Sequence, residues 1–385
     1  MSTAAGHDRK LRVVTLVDRL GTGGAERLAI QTTTRLDPER FDRTLVASRD
    51  FDVAVSKQHV ANALADLRAA GVRVIGLKRT SARQVWAWWP LYRLLRRERV
   101  DVLHAHKFGS NLWGTIVGRL ARVPVIVAHE HTWSYQGQPL RRLADRVVIA
   151  RGSSAFVAVS REDQRRMIEV EGIRPQDTLF IPNGIPAPPA ASGSDVRAEL
   201  GIAPEAPVIG TVSVLRPQKA LDVLLRASRI LVEEFPGLRV LIAGEGDRRF
   251  ALEDLTAELG LQDAVMFLGV RTDVPDVLEA LDVAVSSSDF EGSPLSVMEY
   301  MEAARPVVAT RVGGIPDLID DGAQGLLVEP QDPAGFAAAV AQLLRDPERA
   351  RQMGERGRER RRTEFDIDVM VRRLEALYEE LRAKA

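Results

Sequence analysis

Apolar residues occur along the chain in short continuous runs that alternate with longer segments of helical periodicity. Five runs in the first half have the length and composition of buried strands: LRVVTLV (11–17), RTLVAS (43–48), VRVIGL (72–77), VDVLHAH (100–106) and VPVIVAH (123–129). Amphipathic segments, such as Ala25–Leu36 and Val60–Ala70, lie between them. Continuous apolar strands separated by helices indicate a parallel sheet covered on both faces. The first half is therefore predicted to be a Rossmann-like α/β domain.

The pattern stops at IPNGIPAPPAASGSD (181–195), which is typical of a hinge, and then begins again. The second set of predicted strands is VIGTVSV (208–214), LRVLIAGEG (238–246), AVMFLG (264–269), VAVSSS (283–288) and RPVVAT (305–310). Helices are predicted near 219–235, 247–260, 294–304 and 333–346. We therefore expect two Rossmann-like domains, residues 1–185 and 186–365, whose parallel sheets face a central cleft. Ligands of such sheets bind at the carboxyl ends of the strands.

The last segment, residues 366–385, is predicted to be an amphipathic helix that begins behind a capping Asp366. Its apolar side chains need a partner surface, and we expect the helix to pack back on the N-terminal domain. These side chains are Val369, Val371, Leu374, Leu377, Tyr378 and Leu381.

Composition and charge narrow the class of protein. The 385 residues contain no cysteine, which excludes disulfides and thiolate metal sites, and no apolar run approaches the ~20 residues of a membrane span. Residues 1–185 hold 30 Lys and Arg against 18 Asp and Glu, whereas the remainder holds 23 against 35. The basic half suggests an anionic partner, although a simple difference in surface charge explains it equally well. The cytoplasm is the expected compartment.

The segment SSSDFEGSPLSVMEYMEAARPVVATRVGGIPDLI (286–319) carries the most chemistry. A strand is expected to end at Ser288, with Ser293 as the N-cap of a helix and Pro294 at its first position. The amides of Gly292, Ser293 and Leu295 would then point at an anion. Glu291 lies in the loop and Glu299 on the second turn of the helix, so both carboxylates are expected to border the ligand.

This segment resembles the donor-site signature of the retaining glycosyltransferases of family 4, which have the two-domain GT-B architecture. The two glutamates are separated by seven residues and are followed by a Pro-Val-Val-Ala-Thr strand and a turn at Gly313 and Gly314. The resemblance extends over essentially the whole chain, through GTGGAER (21–27), IPNG (181–184) and IAGEGD (242–247). Taken together and in this order, these motifs are highly specific.

The resemblance implies a nucleotide-diphosphate sugar on the C-terminal domain and an acceptor on the N-terminal domain. Glu299 would hold the ribose, Glu291 the hydroxyls of the donor sugar, and Lys219 the diphosphate, whose charge grows as the glycosidic bond breaks. The catalytic candidates are Glu291, Lys219 and His131. The expected donor-binding set is Gly23, Gly24, Arg216, Lys219, Gly244, Glu291, Gly292, Ser293, Pro294, Leu295 and Glu299.

Three positions depart from the family pattern. Val214 stands where an Arg is common, five residues before Lys219, and the nearby Arg216 is a candidate replacement. Ala220 and Ala304 stand where glycines are usual. A nicotinamide-binding fingerprint is excluded, because Glu26 and Arg249 occupy the third glycine position of the two Gly-x-Gly motifs.

Four histidines, His104, His106, His129 and His131, follow two strands at the edge where α/β proteins bind ligands. In related enzymes, a histidine after the PVIV-type strand points at the donor sugar. His131 fits that position best, and His129 and His106 are acceptor-side candidates. Metal ligation by this group is the weaker alternative, because no carboxylate has a suitable spacing. The Asp50–Asp52 and Asp366–Asp368 pairs are read as a loop and a helix start, so we expect neither a metal requirement nor any other cofactor.

Trp86, Trp88 and Trp89 lie beside a basic helix, an arrangement that suits contact with lipid headgroups. The alternative is that Leu91, Leu94 and Leu95 pack on the sheet and leave the arginines solvated. Peripheral contact with the inner face of the membrane is thus left open, and nucleic-acid binding is not expected because no reading module is present.

The predicted function is transfer of a hexosyl unit, with retention, from a nucleotide sugar to a sugar or lipid-linked acceptor, in envelope or exopolysaccharide synthesis. Two alternatives are a sugar-nucleotide epimerase of the same architecture, of the UDP-N-acetylglucosamine 2-epimerase type, and a non-catalytic homologue that binds nucleotide sugars.

Overall fold

The computed structural model describes residues 9–21, 23–49, 57–81, 84–132, 138–189 and 191–385. The chain forms two compact units, one running to Gly184 and including Ile367–Ala385, the other spanning Ile185–Asp366. The predicted boundaries after residues 185 and 365 each lie one residue from these positions. Asp50–Asp52 lies outside the described residues.

The N-terminal unit is built on a seven-stranded parallel sheet in the order β3-β2-β1-β4-β5-β6-β7. The strands are β1 Leu11–Val17, β2 Phe41–Arg49, β3 Arg73–Arg79, β4 Val102–His106, β5 Val125–Glu130, β6 Ala155–Ala158 and β7 Thr178–Phe180. The central strands β4 and β5 are buried along their whole length, which includes the polar residues His104, His106, His129 and Glu130. The short strands β6 and β7 were not predicted.

Helices cover both faces of this sheet. They are α1 Gly24–Arg35, α2 Lys57–Ala69, α3 Trp89–Arg97, α4 Lys107–Leu120, α5 Pro139–Ala144, α6 Ala150–Gly152 and α7 Arg161–Glu169. Three shorter turns accompany them, the 3-10 turns Val85–Trp88 and Pro175–Asp177 and the π-helical turn Asp145–Ile149, which joins α5 to α6. Side chains of α3 and α4 share one core with Val14, Leu103 and Ile126.

The C-terminal unit holds a six-stranded parallel sheet in the order β10-β9-β8-β11-β12-β13. The strands are β8 Val208–Val212, β9 Arg239–Ala243, β10 Val265–Gly269, β11 Val283–Ser286, β12 Val307–Thr310 and β13 Gly325–Val328. The helices are α8 Val196–Glu199, α9 Leu221–Glu234, α10 Arg249–Glu258, α11 Val274–Glu279, α12 Leu295–Glu302, α13 Ile315–Leu318, α14 Pro333–Arg345 and α15 Pro347–Glu364, with a 3-10 turn at Pro217–Lys219. Strand β11 ends at Ser286, two residues earlier than predicted, and β13 was not predicted.

The last helix, α16 Ile367–Lys384, packs on the N-terminal unit. Its buried residues join the core that includes Val13, Val125 and Val127 of the sheet. Ile367 and Met370 are buried, whereas Val369 is only half-buried, so the apolar stripe lies slightly differently from the predicted one. Glu375 pairs with Arg40, and Arg382 with the buried Asp101.

Within the described residues, no helix combines the length and the apolar character needed to cross a bilayer.

Candidate active site

The donor-site candidates of the C-terminal unit gather where β8, β9 and β11 end. The Ser213 amide donates to the Ala243 carbonyl (2.9 Å) and the Leu215 amide to the Glu245 carbonyl (3.0 Å), which joins the first two loops. Gly244 has φ +133°, and a Cβ there would lie 1.9 Å from the Ser213 carbonyl oxygen. The Gly-x-Gly motif is therefore required for close packing of two loops, and Gly244 reaches the site only through its backbone.

Glu291 is the centre of this site. It is 7% exposed, and its Oε1 accepts hydrogen bonds from Lys219 Nζ and from Ser288 Oγ, both at 2.6 Å. Gln218 Nε2 lies 3.5 Å from the other carboxylate oxygen and donates to the Phe290 carbonyl at 2.8 Å. The charge of Glu291 is thus neutralised by Lys219, the same side chain that the family resemblance assigns to the diphosphate.

The loops that carry these two residues are held together by backbone contacts. The Asp289 amide donates to the Gln218 carbonyl, and Ser287 Oγ donates to the Lys219 carbonyl, each at 2.9 Å. Lys219 ends the 3-10 turn that precedes α9, and Ala220 follows it in the left-handed conformation, with φ 43° and ψ 45°. Ala304 also has a positive φ, of 51°. Both positions where the family usually has glycine therefore use a conformation that favours glycine.

The start of α12 corrects one prediction. The helix begins at Leu295, and its N-cap is Pro294 in an extended conformation, without a side-chain cap. Ser293 is therefore not the N-cap, and Pro294 is not the first helical residue. The preceding loop, which bends at Asp289, Gly292 and Ser293, is held by the next strand and turn. Thr310 Oγ1 donates to the Ser288 carbonyl, and Gly313 lies so close that a Cβ there would be 1.7 Å from the Glu291 carbonyl oxygen.

Glu299 lies on the second turn of α12 and is half-buried, while Gly292, Ser293 and Pro294 are buried in the loop before the helix. The next residue, Tyr300, was missed by the sequence analysis. Its hydroxyl contacts Thr211 Oγ1 at 3.0 Å and accepts from the Val212 amide at 2.9 Å, and burial raises its pKa to about 12. Tyr300 thus fixes α12 against the end of β8. The one sequence feature that could have indicated this contact is a tyrosine on an otherwise apolar helix face.

Val214, which stands where the family pattern has an arginine, is exposed to solvent. Val214 is 48% exposed, and Arg216 is exposed at the start of the 3-10 turn that carries Lys219. Within the part of the chain that the structure describes, the guanidinium of Arg216 forms no ion pair. Arg216 is therefore a free cation on the same loop as Lys219.

In the N-terminal unit, the four histidines form a continuous stack. His104 Nε2 lies 3.1 Å from His129 Nδ1, and His106 Nδ1 lies 2.9 Å from His131 Nε2. Tyr378 of α16, predicted only as a packing residue of the last helix, contacts His104 Nδ1 at 2.6 Å. Burial lowers the pKa of all four, that of His129 to about 3, so the imidazoles are neutral at physiological pH.

The ring nitrogens of His104, His106 and His129 lie within 4.8 Å of one another, close enough to consider a metal ion. Both nitrogens of His104 are already engaged, by Tyr378 and by His129. A metal would have to break one of these contacts, so the donor set fits an ion poorly. His106 Nε2, His129 Nε2 and His131 Nδ1 are buried and have no hydrogen-bond partner among the residues that the structure describes.

The GTGGAER segment places Gly23 at the N-cap of α1 and Gly24 at its first position. A Cβ at Gly23 would lie 2.4 Å from Glu26 Oε2, so glycine leaves room for this carboxylate. Glu26 is buried and accepts from Lys107 Nζ at 2.5 Å, which connects the starts of α1 and α4. In the sequence, Glu26 stands out only as a departure from a dinucleotide fingerprint.

Comparison with known proteins agrees with this architecture. Residues 194–360 match the family model of glycosyl transferases group 1, and residues 22–187 match that of Glycosyltransferase Family 4. The UDP-Gal:alpha-D-GlcNAc-diphosphoundecaprenol alpha-1,3-galactosyltransferase of Escherichia coli is 25% identical over 336 residues, 84% of this chain and 85% of that protein. The D-inositol 3-phosphate glycosyltransferase of Thermobispora bispora is 30% identical over 309 residues, 73% of this chain and 71% of that protein.

The crystal structure of Anabaena Alr3699/HepE in complex with UDP has the same fold, with a TM-score of 0.83 and 21% identity over 96% of this chain and 100% of that one. Fold and sequence together define a glycosyltransferase of the GT-B architecture. The chain belongs to glycosyltransferase family 4.

Proposed function

We propose that the protein transfers a hexosyl unit from a nucleotide-diphosphate sugar to an acceptor hydroxyl, with retention at the anomeric carbon. The observation that carries the proposal is the cluster of Glu291, Lys219 and Ser288 at the carboxyl end of β11. It combines a cation suited to a diphosphate with a carboxylate suited to sugar hydroxyls. The UDP named in the Anabaena structure and the UDP-Gal named in the E. coli relative support a UDP-hexose as the donor.

In the proposed reaction, the bond between the anomeric carbon and the diphosphate oxygen breaks while the acceptor oxygen bonds to the same face of that carbon. The acceptor proton passes to the leaving diphosphate, and Lys219 stabilises the charge that develops there. Glu291 and Glu299 hold the sugar and the ribose. His131 is the proposed catalytic histidine near the donor sugar; its low pKa keeps it neutral, so it would bind by hydrogen bonding rather than by charge. We propose no metal and no other cofactor.

We place the acceptor on a lipid carrier and the reaction in the cytoplasm, in envelope or exopolysaccharide synthesis. The lipid-linked acceptor in the name of the E. coli relative supports this choice. The inositol phosphate in the name of the Thermobispora relative marks a second kind of acceptor to test.

The test is a proton NMR time course with UDP-, GDP- and ADP-hexoses, each alone and with these two acceptors. We expect one donor to give an α-linked product and its nucleoside diphosphate. A β-linked product would refute retention, a new sugar nucleotide without acceptor would establish the epimerase, and binding without turnover would establish a non-catalytic homologue. Glu291→Gln should lower kcat about 10²–10³-fold, whereas the matched control Glu258→Gln, at an exposed position on α10, should leave it unchanged.

A further inference from the structure

The segment from α5 to α6, residues 138–152, exposes apolar side chains at helical spacing. Leu140, Leu143 and Val147 are 81%, 57% and 45% exposed and follow one another at intervals of three and four residues. Such spacing puts them on one side of the helical segment. The opposite side packs through Ile149 and Ala150 on Phe156 of β6. The segment thus has one apolar side in the core and a second apolar side in solvent.

Basic residues surround this second side. Segment 107–122 packs beside it, because the Arg141 guanidinium lies 4.2 Å from the centroid of the Phe108 ring and Arg119 Nε donates to the Gly152 carbonyl. Segment 85–99 packs in turn beside 107–122, where Trp88 stacks on Trp113. We call the solvent-facing side of these three segments the arginine face. Its exposed arginines are Arg93, Arg96, Arg97, Arg99, Arg119, Arg122, Arg146 and Arg151.

The three segments of the arginine face contribute little compensating negative charge, and Asp177, which lines the same cavity as Arg146 and Arg151, is paired with Arg174. Its three segments contain two acidic residues, Glu98 and Asp145. Glu98 is paired with Arg73. Asp145 is fully buried, and burial raises its pKa to about 9, so it is protonated at neutral pH. The face therefore combines a strong positive charge with exposed apolar side chains.

Tryptophans add a second apolar group at the start of α3. Trp86 and Trp89 are 72% and 59% exposed, whereas Trp88 is buried, which corrects the expectation that all three could contact lipid. Leu91 and Leu95 are buried and Leu94 half-buried against the sheet, as the alternative interpretation predicted. Exposed tryptophan beside arginine is typical of surfaces that lie at the boundary of headgroups and acyl chains.

We propose that the arginine face docks on a bilayer rich in anionic phospholipid, with Leu140, Leu143 and Val147 inserted among the acyl chains. Charge complementarity selects this occupant: the arginines attract the lipid phosphates, and each apolar side chain is removed from water only on insertion. The inference deepens the proposed function, whose acceptor is lipid-linked, by naming the surface that brings the enzyme to its substrate.

The experiment is flotation of the full chain with vesicles of phosphatidylcholine alone or mixed with phosphatidylglycerol, without donor or acceptor. We expect binding only to the anionic vesicles, weakened by 0.5 M NaCl. Changing Leu140, Leu143 and Val147 together to Asn, or Arg146 and Arg151 together to Gln, should weaken binding at least about tenfold. Unchanged melting temperatures would show that the variants are folded.

Matched controls separate this face from general stickiness. Arg372 and Arg373 are exposed on α16, on the opposite side of the same sheet, and Phe250 is 81% exposed in the other unit. Arg372→Gln with Arg373→Gln, and Phe250→Asn, should each change binding less than twofold. Equal loss in these controls, equal binding to neutral vesicles, no binding at all, or tighter binding to duplex DNA would overturn the proposal.

The same variants distinguish its failure from that of the proposed function. Without lipid, release of nucleoside diphosphate from the donor should be the same in the wild type and in the variants of the arginine face. Vesicle binding without any diphosphate release would support the docking surface and refute the transferase. Diphosphate release without vesicle binding would refute the docking surface alone.

Discussion

The Lys219–Glu291 ion pair permits a test in which stability and activity should separate. Nζ and Oε1 are 2.6 Å apart, and the two side chains are 19% and 7% exposed. Removing one partner of a fully buried pair costs about 3–5 kcal/mol, because the other charge is left uncompensated. Lys219 keeps some contact with water and Ser288 still donates to Glu291, so we expect about 2–3 kcal/mol for Lys219→Met.

The double variant Lys219→Met with Glu291→Gln leaves no buried charge, and it should recover most of that stability, with a coupling energy of about 2 kcal/mol. Activity should not recover. Each single variant is expected to lower kcat about 10²–10³-fold, because each removes a contact with the donor that strengthens as the leaving group departs. The double variant should be at least as impaired.

The measurements are urea unfolding followed by circular dichroism, and release of nucleoside diphosphate from the donor. The exposed pair of Arg345 and Glu234 in the same unit is the control, and Arg345→Met should cost less than about 1 kcal/mol. If the double variant recovers activity together with stability, the pair has only a structural role. If the single variants are as stable as the wild type, the two charges are not paired in the unliganded protein.

Four further outcomes follow from the structure. Ala304→Gly should raise the free energy of unfolding by up to about 1 kcal/mol, because glycine relieves the strain of a residue with positive φ. The melting temperature should rise, and a lower melting temperature would contradict this. Gly313→Ala should abolish donor binding in calorimetry, since a Cβ would collide with the Glu291 carbonyl, and unchanged affinity would refute that role. Burial in the folded protein lowers the pKa of His129 from 6.5 to about 3. When the pH is lowered from 6.5 to 5, only the unfolded chain takes up this proton, so the protein should lose about 2 kcal/mol of stability. In the variant His129→Gln, the urea unfolding midpoint should depend less steeply on pH. An unchanged slope would assign the loss of stability to another group. Prolonged treatment with EDTA should leave turnover unchanged, and loss restored by Zn²⁺ would instead support a metal at His104, His106 and His129.

Much of the fold is visible in the sequence because a strand buried on both faces must be apolar along its length. Strands β1, β4, β5, β8 and β11 could therefore be predicted from local runs of apolar residues alone. Strands β6, β7 and β13, with three or four residues each, were missed; β11 has four residues and was predicted, so length alone does not explain the difference.

The candidate site divides in the same way. The sequence proposes Glu291, Glu299, Lys219 and the histidines as site residues, because a motif and a position after a strand are local properties. It misplaced the start of α12, which depends on Thr310 and Gly313 from the next strand and turn. A local rule could not have anticipated these contacts.

The remaining partners were decided by tertiary structure alone. The pairing of Lys219 with Glu291 joins residues 72 positions apart, and that of Tyr378 with His104 joins residues 274 positions apart. A side chain's chemistry is written in the sequence, but its hydrogen bonds and its solvation depend on which distant segments fold beside it. The sequence by itself thus determined the architecture and the type of chemistry, whereas the tertiary structure decided which charges are paired, which imidazoles stay neutral, and which arginines and leucines face the solvent.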